Sequence, residues 1–220
     1  MLNTPRESRP LGTLPRPASV PVPYITRWSG ERAPDVELVV RRGRLAFAKE
    51  RPYDRDSAGV LWTRTPSQPG KGRPQYGKVH PLRQRNAMDR LLCQVCGQSA
   101  DRNEDGVLWL VGEDPDDQGG RDGGLHTMHP PLCLPCAHTS IHACPHLRHH
   151  YIALRVRRFE QIGVRGALYC PVQSKPVIVQ AAGVAFDDHR INWVQAGQLI
   201  MHLIDYTPTD LDTEPHQPRA

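Results

Sequence analysis

Two Cys-x2-Cys pairs, Cys93/Cys96 and Cys133/Cys136, constrain this chain more than any other feature of its sequence. A two-residue spacing lets both thiolates of a pair turn toward one ion, and tetrahedral Zn²⁺ accepts four sulfurs at about 2.3 Å. The competing use of such cysteines is in disulfides. The N-terminal stretch lacks the continuous apolar core of a secretory signal and no apolar run reaches the length of a membrane span, so a soluble, cytoplasmic, reducing setting and a metal are expected. The 36 residues between the pairs include an acidic, glycine-rich loop, 113–124, whose length costs little closure entropy.

The surroundings of the two pairs differ. Gly97 follows Cys96, where a zinc knuckle needs a positive φ. Val107 to Val111 (VLWLV) reads as a strand, and residues 132–143 (LCLPCAHTSIHA) read as a helix with the second pair in its first turn, where Pro135 is tolerated. Knuckle, hairpin and ligand-bearing helix are the parts of a treble clef. Four thiolates fill a coordination sphere and leave no open position for water or substrate, so a structural role is expected for the ion. Seven of the eleven histidines fall between 126 and 150. His138 and His142 share a helical face and, with His146, form a candidate second metal site; the plainer alternative is that they pack around the first one or face solvent. Cys144 and Cys170 read as small buried residues.

Proline and glycine punctuate the rest. Six prolines within the first 23 residues leave neither helix nor central strand there, so 1–22 is expected to be a disordered arm. A β-hairpin segment follows over 23–64, with strands around Arg41-Arg42-Gly43-Arg44 and a short strand near Val60 to Thr63. Residues 65–81 read as a Gly/Pro linker with a domain boundary near residue 80, and 82–148 as the zinc domain, entered by a short helix over 83–92. Within 149–206, strands are expected over Tyr151 to Phe159, Gly166 to Cys170 and Val177 to Phe186, and a C-terminal helix over Trp193 to Ile204, whose apolar residues at 193, 196, 200 and 204 have helical spacing. The tail is 207–220, and its residues after Leu211, 212–220, offer little to bury and are expected to be disordered and, like the arm, dispensable for folding. The expected fold class is α+β: a small zinc-stapled, treble-clef-like domain combined with short antiparallel strands and a C-terminal helix.

Several words around the cysteines, LCQVCG (92–97), GVLWL (106–110), HPPLC (129–133), CPHL (144–147), GVRGALY (163–169) and WVQA (193–196), resemble a group of uncharacterised actinobacterial zinc-finger-like proteins. The resemblance spans roughly residues 80–206. It implies the same zinc and the same strands and helix behind it, but no activity.

Charge is uneven along the chain. Residues 1–92 carry 18 Lys and Arg against 8 Asp and Glu, whereas 93–125 carry 2 against 8. Arg41, Arg42, Arg44, Arg155, Arg157 and Arg158 are therefore candidate nucleic-acid phosphate contacts, with a merely solvated basic face as the alternative. A zinc-binding, non-catalytic module that contacts nucleic acid is the first functional reading. A protein-interaction adaptor stapled by structural zinc is the second. An HNH-type nuclease is the catalytic alternative, but the Asp-His and Asn of that pattern are absent, and His126 and His129 lie too close to Cys133 for a strand and turn between them.

Overall fold

The computed structural model describes residues 21–112, 124–145, 147, 151–172 and 175–214. The expected N-terminal arm up to residue 20, nearly all of the acidic loop, His146 and the last six residues lie outside this set.

Alternating apolar residues build a seven-stranded mixed sheet around one very long strand, β9 (Tyr151–Val172). It precedes β10 (Lys175–Ala185) and β11 (Val194–Thr209). Along one edge β9 pairs antiparallel with β11; along the other its first part pairs with β7 (Gly106–Gly112) and its second part with β10. β6 (Arg102–Asn103) flanks β7, while β4 (Leu61–Trp62) pairs parallel and β8 (Leu125–Thr127) antiparallel with the far edge of β11. Two small pairs complete the strands: β1 (Thr26–Trp28) with β5 (Pro74–Val79), and β2 (Leu38–Arg41) with β3 (Arg44–Phe47) across Arg42 and Gly43, both at positive φ. The α-helices among the described residues are α1 (Pro81–Asp89) and α2 (Leu134–Ala143), and neither is long and apolar enough to cross a membrane.

The fold is therefore predominantly β, which overturns the expected α+β class with its C-terminal helix and self-contained treble clef. Trp193 ends a short 3-10 turn, His189–Trp193, and residues 194–204 are strand. The cause is a register shift between Ala196 and Gln198. Val194 and Ala196 are buried before it, and Leu199, Met201 and Leu203 after it, so a period of two with one slipped residue imitates helical spacing. The treble clef fails as a separate unit because β7 is buried on both faces. Val107, Trp109 and Val111 enter the main core with Leu154, Val156 and Met201, whereas Leu108 and Leu110 enter a second core with Cys93, Leu132, Cys133 and Ala137. A strand with two apolar faces needs cover on both. The cysteine layer supplies one of them.

The expected linker is held in place as well. Glu31, fully buried, accepts from the backbone N–H of Trp28 at 2.8 Å and of Gln68 at 2.7 Å, and from Arg83 on α1 at 2.7 and 2.8 Å. Arg83 also donates to Thr26 O and Ser67 Oγ. His80 caps α1, its Nδ1 accepting from Arg83 N, while its Nε2 faces Pro66 O; burial pushes its pKa down, in keeping with a neutral ring. One carboxylate thus fastens the turn after β1, the stretch before β5 and the start of α1.

The tail is also engaged as far as it is described. Leu211 is buried in the second core, and Glu214 accepts from Arg155 Nε and Nη2 at 2.7 and 2.6 Å. Deleting residues 212–220 is expected to cost about 1–3 kcal/mol, the worth of buried charge-assisted hydrogen bonds, with Asp101 still holding Arg155. Tm should fall by several degrees. An unchanged melting curve would show the tail to be dispensable after all.

Candidate metal centre

The first pair sits on a tight turn between α1 and β6. Its loop is closed by Cys93 N–H to Gln98 O at 2.6 Å and by Gly97 N–H to Cys93 O at 2.8 Å. Gly97 has φ of 71°, and a side chain there would run into the Tyr24 ring, which covers the turn. Tyr24 and Ile25 donate to Val95 O and Gln94 O, so the chain just before β1 lies along the first pair as a short extended partner. The second pair opens α2: Cys133 is the N-cap, Pro135 lies in the first turn, and the unpaired N–H groups and positive end of the helix dipole favour thiolates there. Gln94 N–H donates to Pro131 O, and Leu132 N–H to Leu108 O, which fixes the second pair against both the first pair and β7.

These constraints converge the four sulfurs within 4.8 Å of one another, with Cys96 and Cys133 Sγ 3.7 Å apart. Cys93 and Cys133 are buried, Cys136 is partly exposed and Cys96 lies at the surface. Four thiols this close cannot ionise independently. Hydrogen bonds from Cys136 and Cys93 push the Cys133 thiol strongly down, while the resulting thiolate pushes Cys93 up to about 11 and Cys136 upward as well. A cation is what would let all four carry negative charge together. The cluster could hold a metal ion, and among the described residues no other three Cys, His, Asp or Glu side chains come as close. His138 and His142 both lie on α2 without a third ligand of that kind, and His146, the remaining member of the candidate second site, lies outside the described residues.

The arginines divide. Arg155, expected to contact phosphate, is instead 3% exposed, on the face of β9 that packs under the cysteine layer. Its guanidinium is taken by Asp101 at 2.7 Å, by Glu214 and by Gly106 O. Asp101 lies five residues after Cys96 and its N–H donates to Leu132 O, so this ion triad ties both pairs to the tail. Arg157 is about half exposed and paired with Asp105 at 2.6 Å. Arg158 is exposed; Arg41 and Arg42 are exposed on the hairpin turn with Arg44 half-buried beside them, and Arg41 donates to Ala48 O. His126 meets His202 edge-on at 4.9 Å, and His129 O accepts from Trp109 Nε1. Cys144 and Cys170 are only partly buried.

No family model, curated protein or solved structure matches this chain.

Proposed function

We propose that the chain is a zinc-stapled, non-catalytic binding module that contacts nucleic acid through exposed arginines. The closed set of four converging cysteines carries this reading. The 3.7 Å between Cys96 and Cys133 sulfurs is close to the edge of a tetrahedron with metal–sulfur bonds of about 2.3 Å, which is about 3.8 Å. Soft thiolates in that geometry suit zinc, and the resemblance of the cysteine words to the actinobacterial zinc-finger-like group favours it too. With all four positions filled by protein, the ion has nowhere to take a substrate, and its effect is to join the turn after α1, β7 and α2.

Nucleic acid is favoured as the partner over a protein by the exposed hairpin arginines Arg41 and Arg42 and by Arg158, none of them ion-paired among the described residues. The test is in two parts. Metal analysis of the purified chain should return one zinc per molecule; stoichiometric iron would refute zinc, and no metal would refute the staple. Binding of a labelled single-stranded oligonucleotide should weaken with salt, and Arg41→Gln with Arg42→Gln should flatten that slope by about 0.7 for each phosphate that is no longer neutralised. Salt-independent retention of a protein partner instead would favour the adaptor reading.

A further inference from the structure

Four segments of the chain border a wide-open cleft of about 590 Å³. Its walls come from the chain after β1, the turn after β3, β4 with the residues following it, and the first turns of α1. The one carboxylate in the wall, Asp54, is buried and fully used: it accepts from Arg64 Nε at 2.8 Å and Nη2 at 2.5 Å, and from Arg51 N–H. Arg64 is thereby neutralised, its guanidinium lying 4.2 Å over Phe47. Arg32, Arg51 and Arg85 also line the cleft and form no ion pair among the described residues. With four arginines against one carboxylate, the described lining carries a net positive charge.

Two aromatic side chains set the geometry of these charges. Arg85 lies flat on Trp62, 4.6 Å from the ring centre, which fixes its guanidinium against the wall. Tyr53 lines the cleft with 69% of its surface exposed, on a short turn held by Asp54, and Arg51 lies over one face of its ring, 5.9 Å from the centre, and donates to its hydroxyl at 3.2 Å. A largely exposed ring next to guanidinium groups can meet a base face and a phosphate at once. A bare phosphate, or one on a peptide, would use the arginines and gain nothing from the ring. A duplex would hide the base faces that the ring could stack on.

We propose that this cleft binds a nucleotide unit, the base stacked on Tyr53 and the phosphate held by Arg32, Arg51 and Arg85. The proposal rests on the nucleic-acid reading above and gives it a location; the nucleotide comes from a single strand or is free. Binding is followed by anisotropy of a fluorescein-labelled oligothymidylate of about a dozen nucleotides and by quenching of tryptophan fluorescence with free thymidine monophosphate. Tyr53→Ala, at an exposed site that leaves the melting curve unchanged, should weaken oligonucleotide binding about tenfold or more without altering the salt slope. Arg85→Gln should weaken binding and reduce the slope by about 0.7. Free nucleotide binding that is lost in both variants, with no oligonucleotide binding, supports the cleft and overturns the nucleic-acid reading. Oligonucleotide binding unchanged in both variants but weakened by Arg41→Gln overturns the cleft and leaves that reading standing. If neither probe binds, both are overturned.

Discussion

Cys133→Ser is expected to release the metal and to unfold the layer around α2. Cys133 is both a member of the four-sulfur cluster and the helix N-cap, and its neighbours Leu132 and Leu134 are buried with Leu108, Leu110 and Ala137 of the second core. Apparent zinc-binding free energies in small fingers are about 10–16 kcal/mol, as large as the whole net stability of an ordinary domain, about 5–15 kcal/mol. A chain that loses its ion should therefore lose more than local order, because β7 would then be uncovered on one face. Metal analysis together with a thermal melt decides the matter: a variant that keeps its metal, or that melts like the parent, contradicts the staple.

Glu31→Ala is expected to be the most damaging change away from the cysteines, at about 3–5 kcal/mol. It strands the buried Arg83 charge and leaves two backbone N–H groups, of Trp28 and Gln68, without their acceptor. Tm should fall by about 10 °C or more. Glu31 also predicts an acid limit. Burial pushes its carboxyl up, but Arg83 and the two N–H groups outweigh this and bring it from 4.5 to about 2. A folded-state pKa below the unfolded one means the contribution, about 3 kcal/mol, is complete above pH 4.5 and is lost as pH falls toward 2. Comparing denaturant midpoints of parent and Glu31→Gln across that window tests it: the gap should narrow on acidification, and a constant gap would count against this origin.

The cysteine cluster was legible because a two-residue spacing is a local rule, and the turn at Gly97 and the helix at Cys133 obey equally local ones. What escaped the sequence depended on partners far along the chain. Alternation correctly sorts Arg155 from Leu154 and Val156, yet it says only which residues share a face, not whether water reaches that face; the cysteine layer and Glu214 keep it dry. The Gly/Pro stretch over 65–81 has the composition of a free connector, but Glu31 fixes Gln68, and β5 finds β1, across dozens of residues. The helix read into 193–204 fails for a different reason: a bulge changes the phase of a strand, and periodicity across the slip belongs to no single element. The cleft around Trp62 had no signal at all, since its four walls share neither motif nor neighbourhood.

Gln84 of α1 lies against β11 in the gap between the stretches where β4 and β8 pair. Its side-chain amide accepts from Leu199 N–H at 2.9 Å and donates to Leu199 O at 3.0 Å and to Met128 O at 2.9 Å. That amide behaves as a single borrowed peptide group, filling the gap in the hydrogen-bonding edge between β4 and β8. β11 carries several register irregularities, so sliding by two residues would preserve its inward and outward alternation and much of its burial. A fixed donor and acceptor addressed to Leu199 alone distinguish the native alignment from its slipped competitors, which hydrophobic patterning by itself would leave nearly equal in energy.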